Sequence, residues 1–180
     1  TEVATRHGVR ADASPAEVAA ASDVVLVAVK PKDVPGSLRG IADALRPGTV
    51  VVSVAAGLGT AALEADLPAG TPVVRVMPNT PAVIGKGAAG LCGGEHATDE
   101  HLALVERLLA PTGLVVRVAE ADMDAVTAIS GSGPAYVFYL VDALAEAGVL
   151  VGLSRAQGLE LGRAAFLGAG EGLGEGGGHP

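Results

Sequence analysis

An α/β fold is predicted, in which an open parallel sheet is followed by a purely helical segment. Three observations predict it. Short β-rich runs alternate with helical patterns over the first two thirds of the chain. Those runs are continuously apolar, as in strands covered on both faces. From Glu120 onward strand-like runs cease and only helical patterns remain.

The elements follow in order. Thr1 to Gly8 reads as the end of a helix and Val9 to Ala11 as a short strand. Ser14-Pro15-Ala16-Glu17 is a capping box with proline at the first helical position. Strands are expected at Val24 to Val29, Thr49 to Val54, Val73 to Met77, Gly87 to Cys92 and Leu114 to Val118. Arg46-Pro47-Gly48 and Leu67-Pro68-Ala69-Gly70 are turns between units. Thr98 opens a helix from Asp99 to Leu109, with acids in its first turn. Further helices are expected at Ala121 to Ile129, Ala135 to Ala147 and Arg155 to about Ala169, the last behind the capping box Ser154-Arg155-Ala156-Gln157. The domain boundary is placed between Val118 and Asp122, giving domains 1–119 and 120–180. The glycine-rich tail from Gly168 to Gly178 is expected to fray.

Composition excludes several classes. In 180 residues, 49% are hydrophobic but only 2% aromatic, so the core is built from Ala, Val and Leu. A net charge of −8 without a basic stripe argues against nucleic acid. The single cysteine, Cys92, excludes a disulfide framework, fits a reducing compartment and reads as a small buried filler. The start of the chain lacks a signal-peptide pattern, and no apolar run reaches the roughly 20 residues of a transmembrane helix. A soluble cytoplasmic protein without a membrane partner is expected. His7, His96, His101 and His179 are scattered without metal-ligand spacing, so no metal is expected.

Four short segments carry the chemistry. Ala28-Val29-Lys30-Pro31, Ala55-Ala56-Gly57 and Met77-Pro78-Asn79-Thr80-Pro81 each follow a strand, and ligands of open α/β sheets sit at such strand ends. Ser130-Gly131-Ser132-Gly133-Pro134-Ala135-Tyr136 lies between two helical patterns. Pro134 is expected at the first position of the second helix with Gly133 as N-cap. Two hydroxyls, free N–H groups and a helix dipole would then converge, which suits a small anion or carboxylate. Gly85-Lys86-Gly87-Ala88-Ala89-Gly90 matches G-x-G-x-x-G literally. It lacks the preceding strand and following helix of a dinucleotide fingerprint, and reads as a turn into an edge strand.

Taken together, Ala28 to Pro31, Ser53 to Gly57, Arg75 to Pro81, Ser130 to Tyr136, Ala147-Gly148-Val149 and Gly152 to Ala156 resemble the Δ1-pyrroline-5-carboxylate reductase family in order and spacing. The resemblance implies a partial Rossmann-type sheet followed by a helical dimerisation domain. It implies reduction of a cyclic imino acid to L-proline with NADP(H) or NAD(H), in a homodimer or higher homo-oligomer. It also implies that Ala28, Val29, Lys30, Pro31, Ala55, Ala56, Gly57, Met77, Pro78, Asn79 and Thr80 line the cofactor site. Ser130 and Ser132 are then candidates to deliver or relay a proton. The apolar face from Ala135 through Tyr139 and Leu140 to Leu144 would build the dimer. Against the family pattern, the chain shows no G-x-G-x-x-G unit before Val24 and no Gly/Thr-rich substrate loop at its end. A catalytically incomplete remnant that folds and self-associates is therefore the alternative. A β-hydroxyacid-type dehydrogenase is disfavoured because no lysine lies between Ala119 and Pro180.

Overall fold

The computed structural model describes residues 2–11 and 14–176. The chain divides into two compact units, Thr1–Gly131 and Ser132–Pro180. By packing the division falls after Gly131, because residues 120–131 lie on the sheet of the first unit.

The first unit holds a five-stranded sheet in the order β1 (Val24–Val27), β2 (Val50–Ser53), β3 (Val73–Met77), β4 (Gly87–Gly93), β5 (Gly113–Arg117). All five expected strands form, within two residues of the expected bounds. The expected short strand at Val9 to Ala11 does not form. Val9 instead donates its N–H to the Ala4 carbonyl at 3.1 Å, closing off α1 (Glu2–His7).

The sheet is not wholly parallel. Strands β1, β2 and β3 are parallel, β4 runs antiparallel to β3, and β5 is parallel to β4. The β3–β4 link spans only residues 78–86. A parallel partner would need a crossover of a dozen or more residues, so the short link makes the reversal the accessible solution. It also makes β4 an inner strand, where the sequence predicts an edge.

The reversal decides where the helices go. Right-handed crossovers put α3 (Val34–Ile41) and α4 (Thr60–Glu64) on one face. There Val34, Leu38, Ile41 and Leu63 pack with Val27, Val51 and Val73, joined by Ala19 of α2 (Pro15–Ala20). The β4–β5 crossover has the same hand on reversed strands, so α5 (Asp99–Leu109) falls on the opposite face. Val105 of α5 closes a second core with Val50, Val52, Val74, Val76, Ala89 and Leu91. The face of β4 on the α3/α4 side is left for residues 120–131. Strand β5 is half exposed, with Leu114 at 63% and Val116 at 45%, unlike a strand covered on both faces.

The caps form as the sequence predicts. Ser14 accepts from Glu17 N–H at 3.2 Å while the Glu17 carboxylate accepts from Ser14 N–H at 3.1 Å. In α5 the third helical residue is a histidine, and His101 Nδ1 accepts from Thr98 N–H at 3.0 Å. Gln157 Oε1 accepts from Ser154 N–H at 2.9 Å.

Each glycine of the false fingerprint has a packing duty. Gly85 adopts φ +71°, ending a 3-10 turn. A Cβ on Gly87 would lie 2.8 Å from the Ala82 Cα and from the Thr112 carbonyl oxygen. A Cβ on Gly90 would lie 2.8 Å from Val126 Cγ1 and 2.9 Å from Cγ2. The bareness of Gly90 is what lets α6 (Met123–Val126) settle on β4.

The second unit contains α7 (Gly133–Leu150) and α8 (Arg155–Gly176). Gly148 and Gly158 are the contact points between them, since a Cβ on Gly158 would lie 2.9 Å from the Ala145 Cα. Arg155 pairs with Asp142 at 2.5 Å and also with Glu146. The tail expected to fray is helical as far as Gly176, and Gly177 and Gly178 lie outside the described residues. Nothing in the structure explains glycine at positions 168, 170, 172 and 174, where a Cβ would meet open space. Helix α7 is largely apolar apart from Asp142 and Glu146, yet only Ala145 and Gly148 are buried. The helical stretch 120–150 is long and apolar enough to cross a membrane by length and composition alone, with 11% of its apolar window buried. The sequence expectation missed this because acids, Ser and Gly punctuate the run without interrupting its helical winding.

Two glycine substitutions separate these roles. Gly90→Ala drives a methyl into the stiff, β-branched Val126 and is expected to cost about 1–3 kcal/mol, read as a lower Tm. Gly36→Ala, inside α3 with open space around it, is expected to stabilise by about 0.4–1 kcal/mol.

Candidate functional site

Because β1, β2 and β3 are parallel neighbours, their carboxyl ends lie side by side on one edge of the sheet. That edge gathers Ala28, Val29, Lys30 and Pro31 after β1, Ala55, Ala56 and Gly57 after β2, and Met77, Pro78, Asn79 and Thr80 at the end of β3. Residues 28–31, Ala56, Gly57 and Thr80 are exposed, Ala55 is buried, and Met77, Pro78 and Asn79 are half-buried. Gly57 adopts φ +77°, a conformation that favours glycine, so the chain can turn sharply after β2. Ser53 Oγ accepts from Ala55 N–H at 3.3 Å, beginning that turn. Lys30 precedes a 3-10 turn, Pro31–Asp33, that leads into α3.

Asn79 does more than shape a turn between prolines. Its Oδ1 accepts from Ala88 N–H at 2.9 Å, and its Nδ2 donates to the Ser130 carbonyl at 2.9 Å. One amide thus staples the end of β3 to the start of β4 and to the Ser130 turn, 51 residues further on. Met77 completes the contact: a Cβ on Gly131 would lie 2.9 Å from Met77 Cε, so the turn's backbone rests on that side chain.

The Ser130 turn is not the open helix start that the sequence predicts. Helix α6 passes into a π-helical turn, Thr127–Gly131, which leads through Ser132 into α7. Ser132, not Gly133, is the N-cap, and its φ of −88° and ψ of −18° are already helical. Pro134 is the second helical residue rather than the first. The chain enters α7 already wound, so no row of free N–H groups is presented. Ser130 Oγ donates to the Val126 carbonyl at 3.0 Å, and Thr127 Oγ1 to the Met123 carbonyl at 3.0 Å. These back-bonds accompany the widened winding, a feature frequent at functional sites. Ser132 belongs to the second unit and makes no side-chain capping bond.

A cluster unforeseen from the sequence lies beside this edge. Arg75, in the middle of β3, is 5% exposed. Its Nη1 donates to Glu120 Oε1 at 2.5 Å, and Cys92 Sγ donates to Glu120 Oε2 at 3.0 Å. Burial pulls the Glu120 carboxyl upward. Bonds from the Cys92 thiol, the Arg75 guanidinium and the Thr60 N–H, with the charge of Arg75, outweigh it and hold the group below the usual carboxylate range. Burial, and then the Glu120 carboxylate, push the Cys92 thiol up to about 12. The signal was legible. A charge inside the run Val73-Val74-Arg75-Val76, read as covered on both faces, requires a partner.

The fold and site define the class: an oxidoreductase-type α/β unit with small and turn-forming residues gathered at its parallel strand ends, continued by a helical unit. Residues 1–57 match the family described as NADP oxidoreductase, coenzyme F420-dependent. Residues 120–180 match the pyrroline-5-carboxylate reductase dimerisation family. A pyrroline-5-carboxylate reductase of Corynebacterium melassecola is 46% identical over 171 residues, covering 93% of this chain and 63% of that protein. The solved pyrroline-5-carboxylate reductase of Coxiella burnetii superposes with a TM-score of 0.88 at 33% identity, covering 94% of this chain and 63% of that one. The Plasmodium falciparum pyrroline carboxylate reductase, solved with NADP bound, gives 0.85 at 32% identity, covering 93% and 63%. The chain belongs to the pyrroline-5-carboxylate reductase family, and it spans 63% of the length of each of these three relatives.

Two outcomes test the site's construction. Asn79→Ala leaves the Ala88 N–H and the Ser130 carbonyl without their partner and is expected to cost about 1–3 kcal/mol, measured by chemical denaturation. Cys92 is expected to resist alkylation in the folded protein at about pH 8 and to react once unfolded, since only the thiolate is nucleophilic.

Proposed function

We propose that this chain serves an NAD(P)H-dependent reduction of 1-pyrroline-5-carboxylate to L-proline. What supports the reading most is one observation: the Asn79 amide joins the strand-end edge to the Ser130 turn. Cofactor-side and substrate-side segments of a reductase would have to meet in this way.

The residues fit a dinucleotide. Ala28, Ala56 and Gly57 are small and exposed at neighbouring strand ends, so a flat ring could approach the backbone closely. NADP(H) is the preferred cofactor, with NAD(H) the alternative; the match of residues 1–57 and the NADP-bound Plasmodium relative favour the former. When bound, the cofactor would supply the hydride, leaving the protein to orient and polarise.

The chain's own work is then positional. Met77 to Thr80 form a wall held by the Asn79 bonds. The Ser130 O–H is engaged by the Val126 carbonyl, which leaves its oxygen lone pairs to accept from a protonated imine nitrogen. Proton delivery falls to Ser132 or to a water. A protonated C=N is already electrophilic, so a strong protein acid is not required.

The helical unit is proposed to build a homodimer or a larger homo-oligomer. Phe138, Tyr139, Leu150, Val151 and Leu167 are 65–87% exposed, an apolar surface that a monomer does not leave open. The match of residues 120–180 to a dimerisation family points the same way. We place the protein in the cytoplasm, where a single free cysteine suits the reducing conditions.

The test is turnover by the full-length protein carrying this sequence. NADPH oxidation that depends on 1-pyrroline-5-carboxylate and yields proline is expected. NADPH binding, seen as enhanced fluorescence, without proline formation would overturn the catalytic reading. Sedimentation is expected to show a dimer or larger, and a folded monomer at micromolar concentration would overturn the assembly.

A further inference from the structure

The strand charge Arg75 and the carboxylate Glu120 have no part in the reading above, yet they sit beside the site. Arg75 alternates with Val74 and Val76 and so shares the face of Val73 and Met77. Glu120 begins the 3-10 turn Glu120–Asp122, the first residues after β5 to cross that face. Its carboxylate is gripped from three elements. Arg75 donates from β3 and Cys92 from β4, and the Thr60 N–H bonds it from the start of α4. Gly59 leaves room for it, since a Cβ there would lie 3.1 Å from Glu120 Oε1. The Glu120 side chain is 37% exposed, but its partner Arg75 is 6% exposed at the side chain. No buried side-chain polar atom of the described residues lacks a partner, so the grip is complete.

The turn held by this grip is continuous with α6 and with the π-turn that carries Ser130. Met123 follows at once and is fully buried. Val126, one turn on, sits on Gly90. Ser130, one turn further, meets Asn79. The segment is therefore pinned at its two ends by polar bonds and in its middle by shape.

We propose that Arg75 and Glu120 are positioning residues, whose half-buried ion pair sets the register of the segment 120–131 and thereby the place of the Ser130 turn at the end of β3. The inference rests on the reductase reading for its kinetic consequence and not for its structural one. Neither residue touches the reacting atoms in this scheme. Loosening the pair would displace the hydroxyl turn while leaving the strand ends of β1 and β2 as they are.

The experiment uses Glu120→Gln in the full-length protein, with Asp66→Asn, which breaks the exposed Arg39–Asp66 pair, as the control. Three readouts are taken: NADPH binding by fluorescence, kcat and KM for 1-pyrroline-5-carboxylate, and amide hydrogen exchange. In Glu120→Gln, kcat is expected to fall by about ten- to a hundredfold, the scale of a small misplacement. NADPH affinity should stay within about twofold, since uniform binding is not what is lost. Exchange should quicken over residues 123–131 and remain as in the parent over β1 and β2. Asp66→Asn should match the parent in all three. An unchanged kcat in active protein, exchange unchanged over 123–131, or a parallel loss of NADPH binding and kcat would each overturn the proposal. If the parent protein proves inactive on the imine, the reductase reading fails and the exchange comparison alone still decides the lock. Should Glu120→Gln not fold, Arg75→Lys carries the same test, because it keeps the charge but gives up the planar fork that fits a carboxylate.

Discussion

The reversal of β4 is the constraint on which the rest of the first unit depends. A link of nine residues after β3 is too short for a crossover, so the chain turns back on itself. A right-handed connection on reversed strands then sends α5 to the far face. The α3/α4 face of β4 is left open, and residues 120–131 fill it. Had β4 run parallel, its own crossover helix would lie where α6 and the π-turn lie now. The Ser130 turn would have no route to Asn79.

Filling that face requires bare backbone and satisfied charge. Gly90 supplies the first, admitting Val126 at a distance no Cβ would tolerate. Arg75, Cys92 and Glu120 supply the second, a polar patch closed within an otherwise apolar face. Breaking such a patch costs more than making it contributes, because an unpaired charge would stay buried. Shape and charge therefore act together, and Asn79 fixes the far end. This is how the end of β3 and a turn 51 residues further on come to meet.

The helical unit follows a different logic. Helix α7 satisfies its own backbone and leaves its apolar side chains largely uncovered. A helix this apolar is stable in water only when something covers it. The same composition that meets a length test for membrane crossing also suits a helix shared between subunits, and these residues match a dimerisation family.

Much was legible without coordinates, because it depends on local rules. The five strands announced themselves as apolar runs between turn residues. The caps at Ser14 and Ser154 followed from side chains three residues apart, and the start at Thr98 from the acids behind it. Rejecting Gly85 to Gly90 as a fingerprint needed only its neighbours in sequence. The strand-end segments at 28–31, 55–57 and 77–80 were placed by counting strands. What sequence could not decide were matters of non-local pairing. The direction of β4 depends on which edge it finds. Glu120 is unremarked until Arg75, 45 residues away, is seen to need it. The cofactor-side reading of Asn79 gave no sign of its two bonds, because both partners are backbone groups of other elements. Ser130 to Pro134 looked like a helix start because Gly and Pro usually mark one, whereas the chain arrives there from a π-turn and is already wound. Local propensity determined the elements; only the tertiary structure decided their directions and contacts, because a buried charge and a cleared backbone acquire meaning from whatever is brought against them.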